Sequence, residues 1–442
     1  MKLSGRSLFV AWGAALGFVV ALHFLCLHFF PKSELDPLEL SDFYPLSVFR
    51  WRLPKPYQLG IAAAYAAMFA MTWWRFGSRK LSSPALLVLG FTFAVLSNLL
   101  HGFRYGLDFP TATSGDGGIE YYHDAILVPG PLWLLERYNA IQFELLEHSR
   151  THPPGPVLLY WLLWRVLRHP AAISVAVCGL SLALLLPHFK RLLTLSLGEE
   201  PRGALLLFTL LPSVLVYGLA TVDAFIAALF LAALVSFVDD TRPQSTVWCV
   251  LYLAGSLFFT FAALFLLPVL LGFEVLRRRR VRRFALVLSG AAVLLGLVEL
   301  GFGFDWWAAF WKASAMENEE GFQLLANPRR YFWYRVGAVT EVLLLFSPPL
   351  VLLAIRGRAW LRTHGPDASA LAWLGPLSLA AMLLAGALKI GEAARVCLFV
   401  LPYLALPAFA AWAQLDPPSR FRVASTVWGF GVCLQLFGFF QW

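Results

Sequence analysis

Long apolar stretches recur along the whole 442-residue chain. Many are roughly 17–25 residues long, the length that a helix needs to cross a hydrocarbon core of about 30 Å. Because that core holds no water, a crossing segment must satisfy its own backbone hydrogen bonds, and a helix does so. Charged residues make up only 14% of the chain, against about 25% in a typical soluble domain. The pattern therefore predicts an all-α polytopic membrane protein.

We predict about thirteen transmembrane helices from these runs. They lie at 8–30, 59–74, 85–100, 155–168, 170–187, 203–219, 221–238, 246–272, 284–303, 332–354, 368–388, 394–413 and 423–440. The run 246–272 has a polar kink near Thr260, and 170–187 is followed by a segment of mixed charge. If 170–187 does not cross fully and 246–272 is two short helices, the segment between them inverts and Asp223 moves from the inner to the outer face. The sequence leaves both arrangements open.

Positive charge lies in short segments between the apolar runs. The formal net charge is +9, and three basic clusters lie at 75–80, 277–283 and 356–362. Short basic loops stay on the cytoplasmic side, so we expect these clusters inside and the loop 101–154 outside. No basic face with interleaved aromatics lies outside the membrane, so a nucleic-acid partner is not expected. We predict a multi-pass protein of the bacterial inner (plasma) membrane, in contact with membrane lipids.

The segment 101–154 is the one long stretch rich in acids, tyrosines and histidines. It contains Asp116, Glu120 and Asp124, and it ends in THPPGP, where His152 precedes two prolines. The stretches ILVPGPLWLLERY and NAIQFELLEHS have apolar residues at i, i+3 and i+4 with acids between them. This spacing is typical of short amphipathic helices that lie in the membrane interface. We expect a polytopic protein that gathers carboxylates in one outer loop to do its chemistry there.

The order of these features resembles the GT-C superfamily of integral membrane glycosyltransferases. The nearest likeness is to the branch of the protein O-mannosyltransferases and the lipid A aminoarabinose transferases. The likeness is carried by Asp116, Tyr121, Tyr122, Ala125, Gly130, His152-Pro153-Pro154 and the late acid–Arg–Pro element in KIGEAARVCLFVLPYLALPA. The chain departs from the pattern where Gly117, instead of the usual Glu, follows Asp116. Asp116, Asp124 and Glu120 therefore compete for the catalytic role.

The resemblance implies transfer of a sugar at the outer face, where a polyprenyl-phosphate sugar is the activated donor. A carboxylate can serve as the general base, and cations can receive the charge of the leaving phosphate. The expected substrate-binding residues are Tyr121, Tyr122, His152, Asp223, Arg329, Lys389, Glu392 and Arg395. No cofactor is predicted with certainty, a divalent metal ion being the alternative to these cations, and no metal ligands are assigned. The acceptor, whether protein, lipid or glycan, is not indicated by the sequence.

The likeness covers residues 85–442, which we expect to form the GT-C-like transmembrane catalytic domain with the loop 101–154 as its outer part. Residues 1–84 depart from the pattern and are expected to be an N-terminal two-span extension. A flippase or transporter for a lipid-linked glycan is the main alternative, although such proteins are expected to show internal repeats, and none is found. A membrane polysaccharide polymerase or ligase, which shares the donor, is a nearer alternative.

Overall fold

A computed structural model describes residues 4–30, 41–47, 49–77, 81–112, 121–219, 221–319, 321–388 and 393–440. Apart from one short ladder, the regular structure of these residues is helical, as the composition predicts. The helices are α1 Gly5–Phe29, α2 Pro56–Phe76, α3 Ser83–Leu99, α4 Tyr121–Leu127, α5 Pro131–Ile141, α6 Glu147–Arg150, α7 Gly155–Leu167, α8 Pro170–Leu197, α9 Ala204–Thr209, α10 Pro212–Tyr217, α11 Asp223–Val238, α12 Ser245–Phe259, α13 Leu266–Phe273, α14 Arg282–Phe302, α15 Trp306–Glu317, α16 Gln323–Ala326, α17 Pro328–Phe346, α18 Pro348–His364, α19 Pro366–Leu384, α20 Ala393–Val396, α21 Leu401–Ala413 and α22 Pro417–Phe437.

Several of these helices begin at a proline. Pro56, Pro170, Pro328 and Pro366 are the first residues of α2, α8, α17 and α19. Proline suits this position, because its fixed φ is already helical and its missing N–H would have no partner inside the helix. The prolines of this chain therefore mark where helices start, and the apolar runs that follow form their bodies.

Among the described residues, five helical stretches are long and apolar enough to cross a membrane, namely α1, α8, α14, α19 and Ala393–Ala413. The pair α17 and α18 passes the same test together. These helices make the chain an integral membrane protein. The predicted count of about thirteen spans is not confirmed, because α2 and α22, each 21 residues long, do not pass this test and the remaining predicted runs form shorter or broken helices.

The predicted span 332–354 is not one straight helix. It contains the junction of α17 and α18, whose axes differ by 91°. Ser347 stands at the break with φ 89°, and Pro348 and Pro349 follow it. A proline cannot donate the backbone hydrogen bond that would continue the helix, and it disfavours helical geometry in the residue before it. The bend therefore follows from the local sequence.

The predicted span 155–168 is the 13-residue helix α7. A helix of this length is about 20 Å long, which is short of the roughly 30 Å of a hydrocarbon core. The run 170–187, in contrast, continues without a break to Leu197. Of these two neighbouring runs, α8 is long enough to cross a membrane, and the prediction of α7 as a full span is not confirmed.

The run 246–272 consists of two short helices. Ser245 Oγ, at the start of α12, accepts a hydrogen bond from Arg283 Nη2 at 2.7 Å. Glu274, directly after α13, accepts one from the backbone N–H of Arg283 at 2.9 Å. The two ends of this hairpin meet at Arg283, so the chain reverses direction near Thr260, where α12 ends. Two short helices in this run are one of the two conditions that the sequence set for the inverted arrangement. The other condition, a run 170–187 that does not cross, is not met, because α8 is long and apolar enough to span a membrane.

The helix α11 connects two polar ends of the molecule. It has 16 residues, and so is about 24 Å long. Asp223 is its first residue, and Asp239, just after its last, accepts a hydrogen bond through its carbonyl from Arg283 at 3.4 Å. We call the end that carries 277–283 the arginine end and the end that carries 101–154 the loop end. Asp223 lies at the loop end, where its carboxylate acts on His152.

The bent pair packs closely on the late helices. Gly357 of α18 lies against the backbone of α21, where an added Cβ would come within 1.8 Å of the carbonyl oxygen of Pro407. Only glycine allows this approach, so Gly357 fixes how deeply α18 sits against α21. Because α20 leads through a 3₁₀ turn, Cys397–Val400, into α21, this contact also fixes the segment that carries Arg395.

Residues near the N-terminus pair with the end of the chain. β1, Phe49–Trp51, forms an antiparallel ladder with β2, Gly438–Phe440, in which Phe49 is opposite Phe440. The Arg52 N–H extends it by donating to the Phe437 carbonyl at 2.9 Å. The sequence did not predict this ladder. Its contacts join residues 49–52 to the end of the chain, and the division at residue 84 stays a prediction.

Candidate active site at the loop end

Three short helices, α4 to α6, lie within the loop 101–154, where the sequence predicts short amphipathic helices. Asp124 of α4 accepts a hydrogen bond from the Leu146 N–H at 3.0 Å, just before α6. Burial raises the pKa of the Asp124 carboxyl, and the hydrogen bond from Leu146 opposes this effect in part. Tyr138 Oη donates to the Ser149 carbonyl at 2.8 Å and to the His152 carbonyl. Asp124 and Tyr138 thus hold in place the chain segment that leads to His152.

His152 is partly buried, and its protonation state is defined. Its Nδ1 lies 3.1 Å from the His148 carbonyl oxygen, which can only accept, so Nδ1 carries the hydrogen. Burial lowers the pKa of His152 to about 4, although the nearby carboxylate of Asp223 raises it in part. The ring is therefore neutral at physiological pH, and Nε2 has a lone pair available to accept a hydrogen bond.

Aromatic rings surround this imidazole. The Tyr121 ring centroid lies 5.6 Å from that of His152, in an edge-on arrangement, and 5.8 Å from that of His148. The Tyr121 ring is also stacked on the ring of Tyr160 of α7, with the two centroids 6.1 Å apart. These contacts connect α4, α6 and α7 around His152, so the short helices form one packed unit.

A buried ion pair lies next to His152. Arg395 Nε is 3.5 Å from a carboxylate oxygen of Asp223, and the two side chains are only 7% and 14% exposed. The charges of both residues act on His152, the carboxylate raising its pKa and the guanidinium lowering it. Asp223 is in the first turn of α11, where the helix dipole favours a negative charge. The pair brings together two residues that the sequence predicted separately.

Glu341 of α17 is a second buried carboxylate beside Arg395, and the sequence analysis missed it. It is 1% exposed, and it accepts hydrogen bonds from the Ser47 N–H at 2.7 Å, the Ser47 hydroxyl and the Ala394 N–H at 3.2 Å. Glu341 therefore joins the segment 41–47 to the residue that precedes Arg395. An acid inside the apolar run VTEVLLLF was a usable signal, because ionisable residues within spans are costly and mark functional positions.

Arg335, also on α17 and also missed, is a buried guanidinium whose donors are only partly used. It lies over the ring of Tyr331 at 4.6 Å and donates from Nη1 to the Leu388 carbonyl. Its Nε and Nη2 are buried, and among the described residues they have no hydrogen-bonding partner. A guanidinium in this state can bind an anion without first losing a protein carboxylate.

Four of the predicted site residues, Tyr121, His152, Asp223 and Arg395, lie together at the loop end. Three others have different surroundings. The ring of Tyr122 contacts Trp164, Asp124 binds the start of α6, and Arg329 lies over Phe30 at 4.6 Å and donates to the Phe29 carbonyl. Asp116, Glu120, Lys389 and Glu392 lie outside the described residues.

Within the described ranges, no group of three or more His, Cys, Asp or Glu side chains is placed to hold a metal ion. Three described carboxylates near the site are engaged by protein groups: Asp223 with Arg395, Glu341 with two backbone N–H groups, and Asp124 with Leu146. Asp116, Glu120 and Glu392 lie outside the described residues, so the divalent metal ion stays a prediction.

No protein-family model matches this chain, and no curated protein matches its sequence. Among solved structures, the chain is similar to ArnT from Cupriavidus metallidurans, whose crystal structure was determined bound to undecaprenyl phosphate. The two are 16% identical with a TM-score of 0.48, and the similarity covers 77% of this chain. The chain spans 62% of the length of ArnT.

Proposed function

We propose that this chain is a membrane glycosyltransferase of the GT-C type that transfers a sugar from a polyprenyl-phosphate-linked donor. The observation that carries the proposal is the Arg395–Asp223 pair beside neutral His152, beneath the short helices that follow Asp116 and Glu120 in sequence. The residues that carry the sequence resemblance to the protein O-mannosyltransferase and aminoarabinose transferase branch belong to the loop 101–154 and to the late segment that contains Arg395. The acceptor is a protein, lipid or glycan group at the same face.

The side of the membrane follows from the charges. The basic cluster 277–283 belongs inside by the positive-inside rule. The helix α11 separates this cluster from Asp223 by about 24 Å, so the loop end faces the periplasm or exterior. No nucleotide-sugar pool exists there, and a lipid-linked sugar is the donor that can reach the site within the membrane.

In the reaction, the acceptor oxygen or nitrogen forms a bond to the anomeric carbon of the sugar while the bond from that carbon to the phosphate oxygen breaks. The bonding electrons leave with the phosphate, which gains negative charge. A planar guanidinium can receive that charge through two parallel hydrogen bonds. We assign this role to Arg395, held in place by Asp223, with Arg335 as a second contact through its unpartnered Nε and Nη2.

The acceptor must lose a proton as it attacks, and a carboxylate can take it. We assign the base to Asp116, on the sequence likeness, with Glu120 and Asp124 as the alternatives. Asp124 is the weaker alternative, because its carboxylate already accepts a hydrogen bond from the Leu146 N–H. Neutral His152 has the complementary role of accepting a hydrogen bond, through Nε2, from a hydroxyl of the sugar or the acceptor.

The experiment is a release assay on purified protein, given a panel of polyprenyl-phosphate sugars with candidate acceptors. The proposal expects free polyprenyl phosphate and glycosylated acceptor in equal amounts. A flippase would instead move the intact lipid across a proteoliposome membrane without breaking the glycosidic bond. A polymerase would give products with many sugar units. Either of these last two outcomes would overturn the proposal.

A further inference from the structure

A second polar centre lies at the arginine end, where α8, α11 and α12 meet. It encloses a cavity of about 340 Å³, within the usual range of about 300–1,000 Å³ for small-molecule sites. Its polar and aromatic lining is His188, Arg191, Asp239, Arg242, Trp248 and Tyr252. Nothing in the proposed transfer reaction uses these residues, and α11 separates them from Asp223 by about 24 Å.

The charged groups of this cavity lie around one carboxylate, that of Asp239. Asp239 accepts a hydrogen bond from Arg191 Nε at 2.7 Å and from the Thr241 hydroxyl at 2.6 Å, and Arg242 Nε lies 3.7 Å away. The hydrogen bond from Arg191, more than any other contact, lowers the pKa of Asp239 to about 2. Asp239 is therefore ionised, and two guanidinium groups against one carboxylate leave the cavity with one net positive charge.

Arg242 is the cation that an incoming anion can reach. Its side chain is 66% exposed, and its two terminal nitrogens have no hydrogen-bonding partner among the described residues. Arg191 uses its Nε and one terminal nitrogen for Asp239 and Thr241, which leaves the other nitrogen for a ligand. The hydrogen bond to Asp239 therefore orients Arg191, and the more exposed Arg242 lies 3.7 Å from the same carboxylate.

The cavity is also lined by aromatic side chains. The rings of Trp248 and Tyr252 are stacked with centroids 5.9 Å apart, and the His188 ring contacts Tyr252 edge-on at 5.4 Å. Trp248 is half exposed. Tryptophan and tyrosine are enriched where the hydrocarbon meets the headgroups, and α8 is one of the membrane-crossing helices. The cavity thus combines cations with the aromatic residues of a membrane interface.

From this combination we propose that the cavity binds the phosphate group of an anionic phospholipid at the inner surface of the membrane. Arginine forks suit phosphate oxygens, and basic pockets between membrane helices on the cytoplasmic side suit anionic headgroups. The site is independent of the proposed transfer reaction. A soluble phosphate compound offers the same chemistry, and the test separates the two sources.

The test measures retention of phosphatidylglycerol and phosphatidylcholine by the full-length protein in native mass spectrometry, with inorganic phosphate as competitor. We expect preferential retention of phosphatidylglycerol and a roughly tenfold weaker affinity in Arg242→Gln, the effect of one charge-assisted hydrogen bond. Arg242 is largely exposed, so this variant should fold. Arg282→Gln, an exposed arginine at the same end, is the matched control and should bind as the wild type does.

A second variant separates the sources of phosphate. Trp248→Ala should weaken the binding of phosphatidylglycerol but not that of inorganic phosphate, because only a lipid contacts the aromatic residues of the cavity. Displacement of phosphatidylglycerol by inorganic phosphate at matched concentration, with the same dependence on Arg242, would support the phosphate site and assign it to a soluble compound. Equal retention of the two lipids by the wild type, or an equal loss in Arg282→Gln and Arg242→Gln, would overturn the proposal.

Discussion

The Arg395 guanidinium lies 3.5 Å from the carboxylate of Asp223, and both side chains are almost fully buried. A buried charge without a partner is costly, and removing one member of such a pair strands the other. The pair therefore keeps a guanidinium in place among apolar helices. A phosphate that enters the site meets a cation whose position is already fixed, which reduces the ordering cost of binding.

Asp116→Asn should reduce sugar transfer by about 10²–10⁴-fold, because asparagine keeps the shape of the side chain but cannot take a proton. Binding of the lipid donor should be nearly unchanged. Rates and donor affinities of Asp116→Asn, Glu120→Gln and Asp124→Asn, measured side by side, check this assignment. Full activity in Asp116→Asn together with loss in another of the three would move the base to that residue.

His152 gives a prediction about pH. Its pKa is lowered to about 4 in the folded protein, against about 6.5 in an unfolded chain. Between these values the unfolded chain binds a proton that the folded protein does not, so stability is lost as the pH falls from about 6.5 to about 4. Thermal midpoints across this range should fall less in His152→Gln than in the wild type. The exposed His28→Gln is the control, and identical pH profiles for wild type and His152→Gln would contradict the account.

Glu341→Gln tests the link from α17 to Arg395. The substitution replaces the carboxylate that accepts hydrogen bonds from the Ser47 and Ala394 N–H groups by a neutral amide. A hydrogen bond to a charged group contributes about 1.5–3 kcal/mol. We expect weaker donor binding with a smaller change in the maximal rate, as befits a positioning residue. Glu299→Gln, an exposed acid on α14, is the control. A fall in thermal stability with donor affinity intact would make Glu341 purely structural.

The arrangement of the two ends predicts which positions are accessible from which side. In a variant without native cysteines, Gln244→Cys and Arg279→Cys should react from the cytoplasmic side, and Glu147→Cys from the outer side. All three positions are exposed. Labelling of Arg279→Cys from outside would reverse the orientation and remove the argument for a lipid-linked donor.

The helical class could be predicted from the sequence, because apolar length and low charge act locally. The path of the chain was harder to predict. Composition does not show that the run 246–272 reverses near Thr260, since both halves are equally apolar, and that reversal decides the side of Asp223. The bend after Ser347 was marked by Pro348 and Pro349, a signal that the apolar run around it obscured.

In the candidate site, too, single residues could be predicted from local sequence, whereas their contacts could not. Asp223 and Arg395 could be selected one by one as charges in apolar surroundings, but their pairing depends on how α11 and α20 pack. Glu341 and Arg335 are also charged residues in an apolar run, but the acid-rich loop is the stronger signal in the sequence, and neither residue was predicted. The β1–β2 ladder joins segments near the two ends of the chain, and no local pattern marks such a pairing.

Titration of a polyprenyl phosphate against the purified protein and its Arg395 variants measures whether Arg395 holds the phosphate of the donor. We predict that Arg395→Ala weakens binding by about ten- to a hundredfold, the loss of one charge-assisted contact, with smaller losses in Arg395→Lys and Lys389→Ala. Arg282→Ala, at an exposed position of the arginine end, is the control and should bind normally. Unchanged affinity in a well-folded Arg395→Ala protein would contradict the account, because Arg395 would then be a structural anchor and the phosphate would bind elsewhere.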